Sequence, residues 1–202
     1  MNIIGISGSP RDKNTNYMLR TVLDATGQEY ELITLKDKDI KPCNACGGCY
    51  KSYQCVIKDD MQEIYGKLSK ADIIVLGSPT YFDNVTALMK IFIDRCLPLY
   101  LSEKLKDKKV ALVSVGNFKK GEVDFLDGYN PNEAIKDPDL KKEMEDTVKR
   151  CIDNMNNFCI AMKLKIVGSV FAINGDPSSV NSELVKLGQK LYEDNNLEYK
   201  WD

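Results

Sequence analysis

The chain of 202 residues contains no histidine. This absence excludes histidine-based catalytic triads, histidine metal ligands and histidine general bases. No apolar run approaches the roughly 20 residues that cross a bilayer, so no membrane-spanning helix is expected. The formal net charge is only −2, which gives no electrostatic reason to expect nucleic acid or an anionic membrane as a partner. Any chemistry must therefore come from cysteine or from a bound cofactor.

Two nucleotide-binding motifs and a secretory signal are also missing. The chain lacks the G-K-[ST] string of a Walker A loop and the G-x-G-x-x-G string of a dinucleotide-binding domain. The predicted second strand ends in Thr34 and Leu35, without the acid that binds the ribose of NAD. No charged segment followed by an apolar segment precedes the first strand, so we expect a cytoplasmic protein.

A regular alternation of strand and helix patterns runs along the chain. Strands are predicted at 2–7, 30–35, 72–77, 109–115 and 165–173. Helices are predicted at 15–25, 60–69, 85–97, 139–162 and 182–195. Five strands joined by helical crossovers predict a doubly wound α/β fold, in which a parallel sheet carries helices on both faces. We expect one domain over residues 1–202, with an irregular, lid-like segment at 118–137.

The segment between the first strand and the first helix has the composition of a phosphate-binding loop. Gly8 allows the backbone to approach a ligand closely, Arg11 can pair with a phosphate, and the N–H groups at a helix start favour an anion. The candidate phosphate-binding residues are Ser7, Ser9, Pro10, Arg11, Asn14, Thr15 and Asn16. The alternative is a capped turn with a surface arginine. Because the Walker and dinucleotide motifs are missing, a mononucleotide monophosphate fits this loop best.

Two more loops follow the third and fourth predicted strands. In a sheet of order 2-1-3-4-5, ligands bind outside the carboxyl ends of the first and third strands, where the strand order reverses. Proline and aromatic residues after the third strand offer a flat, mostly apolar wall that suits a tricyclic isoalloxazine ring. The alternative is ordinary loop packing by these aromatics. The candidate ring-binding residues are Pro79, Thr80, Tyr81, Phe82, Asp83 and Asn84, with Ser114, Gly116 and Asn117 from the loop after the fourth strand.

Four of the seven cysteines fall within thirteen residues, at Cys43, Cys46, Cys49 and Cys55. The spacing C-x2-C-x2-C-x5-C supplies the four thiolates of a [4Fe–4S] cluster, although it departs from the bacterial ferredoxin run. Two glycines between the second and third cysteines permit the tight turn that this spacing requires. Zinc is the rival metal, but structural zinc sites usually use two short knuckles separated by a longer loop. A metal-free loop, with free thiols or a redox disulfide, is the third alternative.

The other three cysteines are Cys96, Cys151 and Cys159, and they lie on the apolar faces of predicted helices. Buried cysteine behaves as a small hydrophobe, so we assign these residues no role in a site. Since the number of cysteines is odd and no secretory signal is present, a disulfide framework is not expected.

The strings SGSPR…NTN, SPTYFDNVTALMKIFIDR and CNACGGC…C resemble the NADPH-dependent FMN reductase branch of the flavodoxin-like superfamily. More narrowly, they are similar to the iron–sulfur flavoproteins of anaerobic archaea and bacteria. The resemblance implies a flavodoxin-like fold with a cysteine-rich insert and FMN bound by the phosphate-binding and ring-binding loops. It also implies a homodimer or homotetramer, with a [4Fe–4S] cluster on the four clustered cysteines near an FMN.

Three functions are compatible with the sequence. We favour an iron–sulfur flavoprotein that takes electrons from a one-electron donor such as ferredoxin and passes them through the cluster and FMN. The final acceptor would be a small molecule, such as a quinone, a peroxide or oxygen. The second function is an NAD(P)H-dependent FMN or quinone reductase without a cluster. The third is a non-enzymatic flavodoxin-like carrier or redox sensor, although such carriers are usually shorter and strongly acidic.

Overall fold

The computed structural model describes residues 1–116, 133 and 135–193. Asn117, most of the lid-like segment predicted at 118–137 and the end of the helix predicted at 182–195 lie outside these described residues.

The described strands form one parallel sheet. They are β1 (Ile3–Ser7), β2 (Tyr30–Thr34), β3 (Ile73–Pro79), β4 (Lys109–Val115) and β5 (Lys165–Ala172). Their order is β2-β1-β3-β4-β5, which confirms the predicted order 2-1-3-4-5. Strand β3 is buried along its whole length, as expected of a central parallel strand that is covered on both faces.

Helices flank the sheet on both sides. The described helices are α1 (Asn14–Asp24), α2 (Cys49–Ser52), α3 (Met61–Lys70), α4 (Ala87–Arg95), α5 (Leu97–Leu101), α6 (Pro138–Ala161) and α7 (Asn181–Glu193). Not one of them combines the length and the hydropathy that a passage through a bilayer would need.

Two apolar clusters fill the spaces between the sheet and the helices. On one face, α3, α4 and α6 pack over side chains that include Leu76. On the other face, α1 and α7 pack over side chains that include Val75. These two neighbours in β3 point in opposite directions because successive side chains of a strand alternate between the faces of a sheet. The result is a three-layer arrangement of helices, sheet and helices. The carboxyl ends of all five strands lie along one edge of the sheet.

The helix predicted at 85–97 is shorter than expected and is followed by a second helix. Helix α4 ends at Arg95, and α5 begins at Leu97 with Pro98 in its first turn. A proline ring clashes with the carbonyl four residues before it, which here belongs to Asp94. The single predicted helix therefore breaks into two, and its break places Arg95 at a helix end.

The start of α4 is fixed to the loop after β1 by one buried hydroxyl group. Thr86 Oγ1 donates to the Gly8 carbonyl at 2.6 Å and accepts from the Met89 N–H at 3.2 Å. The Thr86 N–H in turn donates to Ser78 Oγ at 3.1 Å. The hydroxyl therefore caps α4 and joins the loops that follow β1 and β3.

Replacing Thr86 by valine should destabilise the protein by roughly 1–3 kcal/mol, because two buried polar groups lose their partner while the side-chain shape is kept. Serine at this position keeps the hydroxyl and should cost much less. Urea unfolding of Thr86→Val and Thr86→Ser measures the difference. Equal stability of the two variants would show that the hydroxyl has no such role.

Candidate functional site

One cleft of about 370 Å³ opens at the carboxyl ends of β1, β3 and β4. Its volume lies in the range typical of small-molecule sites. Its lining comes from the loop after each of these strands and from α6. The cleft-lining residues are Ser9, Arg11, Lys13, Asn14, Thr15, Pro79, Thr80, Tyr81, Phe82, Asp83, Val115, Gly116 and Thr147. Most of them belong to the predicted phosphate-binding and ring-binding sets, so both sets meet at one cleft.

The end of the cleft at which phosphate binding is predicted is formed by the loop between β1 and α1. Ser9 Oγ accepts from the Arg11 N–H at 3.2 Å and donates to the Arg11 carbonyl at 2.7 Å. Helix α1 begins without a side-chain cap from Lys13, so its first turn presents backbone N–H groups at the cleft. Together with the exposed Arg11 guanidinium, these groups form an environment that favours an anion.

Two predicted phosphate-binding residues lie beneath this loop and do not line the cleft. Ser7 and Asn16 are buried, and the Ser7 hydroxyl donates to Asn16 Oδ1. Asn16 Nδ2 donates to Asp12 Oδ1 at 2.7 Å. These contacts hold the loop in shape, so the structure gives Ser7 and Asn16 a supporting position.

Gly8 packs closely against helix α4, whereas the sequence led us to expect a ligand beside it. A Cβ atom at this position would lie 2.7 Å from Met89 Cβ of α4. The glycine is therefore required by the close packing of the loop on α4, and a ligand is not needed to explain it.

Three other predicted residues lie around the cleft without lining it. Pro10 is exposed on the loop after β1. Ser114 is buried in β4, and its hydroxyl donates to the Ser78 carbonyl at 2.9 Å and lies 3.2 Å from Thr80 Oγ1. Asn84 closes the turn after β3. The structure thus places Ser114 and Asn84 in support of the loops and Pro10 on the surface, and their part in cofactor binding stays a prediction.

A strained two-residue turn forms the aromatic rim of the cleft. Tyr81 and Asn84 exchange two backbone hydrogen bonds of 2.9 and 3.0 Å. Between them, Phe82 and Asp83 have φ angles of 47° and 60°, in the left-handed region that bulky residues rarely occupy. The Phe82 side chain is fully exposed at 105%. Such strain clusters at ligand-binding sites, and the turn leaves a large apolar side chain at the rim of the cleft.

Sequence reasoning missed three cleft-lining residues, Lys13, Val115 and Thr147. The first two lie next to predicted residues and were within reach of the same argument. Thr147 lies on α6, far along the chain, and only the packing of α6 against the sheet brings it to the cleft. The same helix carries Arg150, whose guanidinium forms an exposed ion pair with Asp83. Exposed pairs add little stability, but this one connects α6 to the strained turn.

The cysteine loop (residues 41–58) lies between β2 and α3. It therefore begins at the same edge of the sheet as the cleft, because the strands are parallel. Ala45, Gly47 and Tyr53 have φ angles of 55°, 72° and 54°, and Gly47 is one of the two glycines expected to permit a tight turn. Only glycine adopts this conformation without cost, which makes the loop a second strained segment.

The four clustered cysteines are free thiols at the surface of this loop. Cys43 and Cys46 are exposed, whereas Cys49 and Cys55 are partly buried. The pKa of the Cys49 thiol is raised, first by burial and then by the negative charge of the other three cysteines. Within the described ranges, no three side chains of metal-binding type are arranged to hold an ion.

A buried ion pair joins the two ends of the cysteine loop. Arg95 Nη1 donates to the Lys41 carbonyl and to Asp59 Oδ2, both at 2.6 Å, and Nη2 donates to Asp59 Oδ1 at 3.0 Å. The side chains of Arg95 and Asp59 are 1% and 0% exposed. Asp59 also accepts from the Lys41 N–H at 3.0 Å and the Met61 N–H at 3.1 Å. Sequence patterns gave no sign of this pair.

The charges of this pair are retained despite burial. Burial by itself raises the pKa of the Asp59 carboxyl, but the hydrogen bonds from Arg95 and Lys41 outweigh it and hold the pKa below its usual range. Burial likewise opposes the charged form of Arg95, and Asp59 again outweighs it, so the pKa of the guanidinium is raised.

The remaining cysteines are buried, as predicted. Cys96, Cys151 and Cys159 are inaccessible to solvent. Burial raises the pKa of the Cys159 thiol to about 12 and also raises the pKa of Cys96 and Cys151. These thiols are protonated at neutral pH, which suits a packing role.

Replacing Asp59 by asparagine should lower the free energy of unfolding by roughly 3 kcal/mol at pH 7, because Arg95 keeps a buried charge without its partner. In the wild type, the lowered pKa stabilises the fold above the unfolded value of about 3.9. That contribution is lost as pH falls through the folded-state value. The variant should therefore show a shallower loss of stability on acidification.

Urea unfolding between about pH 3 and pH 7 measures this effect. Asp94→Asn is the matched control, since Asp94 forms an exposed pair with Lys90. An acid dependence of Asp59→Asn equal to that of the wild type would contradict the assignment.

Comparison with known proteins identifies relatives that carry the name iron–sulfur flavoprotein. An iron–sulfur flavoprotein of Methanocaldococcus jannaschii is 43% identical over 125 residues, which cover 60% of this chain and 65% of that protein. Another, of Archaeoglobus fulgidus, is 36% identical over 129 residues, which cover 62% of this chain and 64% of that protein. The chain thus spans slightly less than two thirds of the length of these curated relatives.

A solved structure supports the fold. The flavodoxin-type, WrbA-like protein of Agrobacterium tumefaciens superposes with a TM-score of 0.59 over 95% of each chain, at 14% sequence identity. The flavodoxin-like prediction is therefore confirmed, although at this identity the likeness speaks for the fold alone. The family model described as NADPH-dependent FMN reductase matches residues 1–127. Since this match covers more than half of the chain, the protein belongs to the NADPH-dependent FMN reductase family.

Proposed function

We propose that the protein is an FMN-dependent oxidoreductase of the iron–sulfur flavoprotein type. The observation that carries this proposal is a single cleft at the switch point of the sheet. A phosphate-binding loop with Arg11 lies at one side of the cleft, and an aromatic turn lies at the other. The family assignment supports FMN as the cofactor, and the relatives named as iron–sulfur flavoproteins support the role of the cysteines.

The chain's own residues would bind and orient the flavin. Ser9, Arg11 and the first turn of α1 would hold the phosphate, and Pro79–Asp83 with Gly116 would hold the ring. Bound FMN supplies one-electron and two-electron chemistry. No histidine is available as a proton donor, so the protons that the acceptor takes up would come from solvent water. Tyr81 and Phe82 would limit the access of water to the ring.

We propose that Cys43, Cys46, Cys49 and Cys55 hold a [4Fe–4S] cluster. The donor set fits in its chemistry, because a [4Fe–4S] cluster takes four thiolates and one loop carries four free cysteines that are exposed or partly buried. The positive φ angles of Ala45 and Tyr53 also fit a loop that is shaped for a ligand. The cluster supplies one-electron transfer. Zinc and a metal-free loop remain the alternatives that metal analysis must separate.

The combination of a cluster and FMN suits electron transfer from a one-electron donor to a two-electron acceptor. Two reduced molecules of a one-electron donor such as ferredoxin would each give one electron. Together with two protons, these electrons would reduce one quinone to its hydroquinone; a peroxide or oxygen is the other class of acceptor. We further propose a single domain that assembles as a homodimer or homotetramer in the cytoplasm.

A second candidate is an NAD(P)H-dependent FMN or quinone reductase that uses the same cleft without a cluster. The description of the matching family model favours it. Hydride would pass from the nicotinamide to the flavin, and the cysteine loop would then be structural. Anaerobic bleaching of the flavin by NADPH alone would favour this candidate over transfer from ferredoxin.

Replacing Arg11 by alanine should weaken FMN binding by roughly ten- to a hundredfold, the effect of losing one charged hydrogen-bond partner. Riboflavin lacks the phosphate, so its affinity should not change. Quenching of flavin fluorescence measures both affinities. Arg20→Ala, on the exposed side of α1, is the matched control. An equal loss for FMN and riboflavin would place the phosphate elsewhere.

The first experiment is an absorption spectrum of anaerobically purified protein with iron and sulfide analyses. We expect flavin bands, broad absorbance from the cluster and roughly four iron atoms per chain. Cys43→Ala should lose the iron and keep the flavin, whereas the buried Cys96→Ala should keep both. Flavin without iron, even after reconstitution, would leave the NAD(P)H-dependent reductase as the function.

A further inference from the structure

We propose that Arg95 is the positioning residue of the cysteine loop: it holds both ends of the loop and sets the reduction potential of the metal centre bound there. The proposal rests on the proposed function, because the loop is taken to bind an iron–sulfur cluster. It extends that function to a residue that lies outside the loop, on the last turn of α4.

The first argument is the position of the two contacts of Arg95. Lys41 precedes the first clustered cysteine by two residues, and Asp59 follows the last one by four residues. The guanidinium donates to both of them at 2.6 Å. One planar group thus adds to the direct bond from the Lys41 N–H to Asp59, and it reinforces the closure of a loop that must bring four sulfur atoms around one centre.

The second argument is an unused donor. Arg95 Nε is buried and, among the described residues, has no hydrogen-bond partner. A buried donor of this kind is costly and rare in native proteins. We assign to this donor a sulfur atom of the cysteine loop or of the cluster bound there, because the same guanidinium already contacts both ends of that loop.

The third argument is energetic. Buried ion pairs are often no more stable than apolar side chains of similar volume, so stability alone does not explain one. Charge and hydrogen bonds at the sulfur atoms, in contrast, determine the potential of an iron–sulfur cluster. A buried cation at the ends of the cysteine loop favours the reduced cluster, which carries one more negative charge, and so raises its potential.

The experiment compares three variants after reconstitution with ferrous iron and sulfide. Arg95→Met combined with Asp59→Leu removes the pair without leaving a buried charge. Arg95→Lys keeps the charge but loses the planar fork. Lys90→Met combined with Asp94→Leu removes an exposed pair from the same helix and is the matched control.

The readouts are the midpoint potential of the cluster and hydrogen exchange of the apoprotein. The Tyr53 N–H, bonded to the Cys49 carbonyl at 2.9 Å, reports on order inside the loop. We expect a lower potential and roughly tenfold faster Tyr53 exchange in the Arg95/Asp59 variant. Arg95→Lys should keep a potential near that of the wild type but show the faster exchange. The Lys90/Asp94 variant should match the wild type in both.

An unchanged potential and unchanged exchange in the Arg95/Asp59 variant would overturn the proposal. If the wild type takes up no iron, the cluster and the role of Arg95 in its potential both fail. The exchange data then still test whether Arg95 holds the cysteine loop. Faster Tyr53 exchange supports this role, and unchanged exchange overturns it. Failure of the proposed function is thus distinguishable from failure of the inference.

Discussion

The parallel pairing of β1 with β3 is the constraint on which the rest of the structure depends. Since β2 and β3 flank β1 on opposite sides, the crossovers on either side of this pair leave a crevice at its carboxyl end. The loops after both strands must meet there, and Thr86 joins them through the Gly8 carbonyl. The cleft is thus a consequence of strand order, and the chemical identity of its lining is a consequence of the two loop sequences.

The same strand pairing also determines how far the cysteine loop lies from the cleft. Helix α4 follows the loop after β3 and ends at Arg95, so its nine residues, about 14 Å in length, separate the proposed flavin-binding loops from the ends of the cysteine loop. A helix has little freedom to change its length. Two cofactors bound at its ends would be held at a nearly constant distance, which electron transfer requires.

Much of this arrangement could be predicted because it depends on local patterns. Buried parallel strands such as β3 appear as continuous apolar runs, and the phosphate-binding loop and the cysteine spacing are contiguous strings. What could not be predicted depends on contacts between distant segments: Thr147 at the cleft and the Arg95–Asp59 pair. The break caused by Pro98, in contrast, is local, because the proline acts on a carbonyl only four residues away. Ser7 and Asn16 show a further limit, since composition identifies a loop but not which of its polar side chains turn inward.

The turn at Phe82 and Asp83 bears on the engineering of this protein. Two successive residues with positive φ and no glycine cost free energy that Asn-Gly would recover. A design procedure that maximised thermal stability would therefore select this position early. In doing so it would remove the exposed aromatic ring from the rim of the cleft and the carboxylate that pairs with Arg150. Stability and function would thus compete at these two residues, in a way that a survey of the buried core would not reveal.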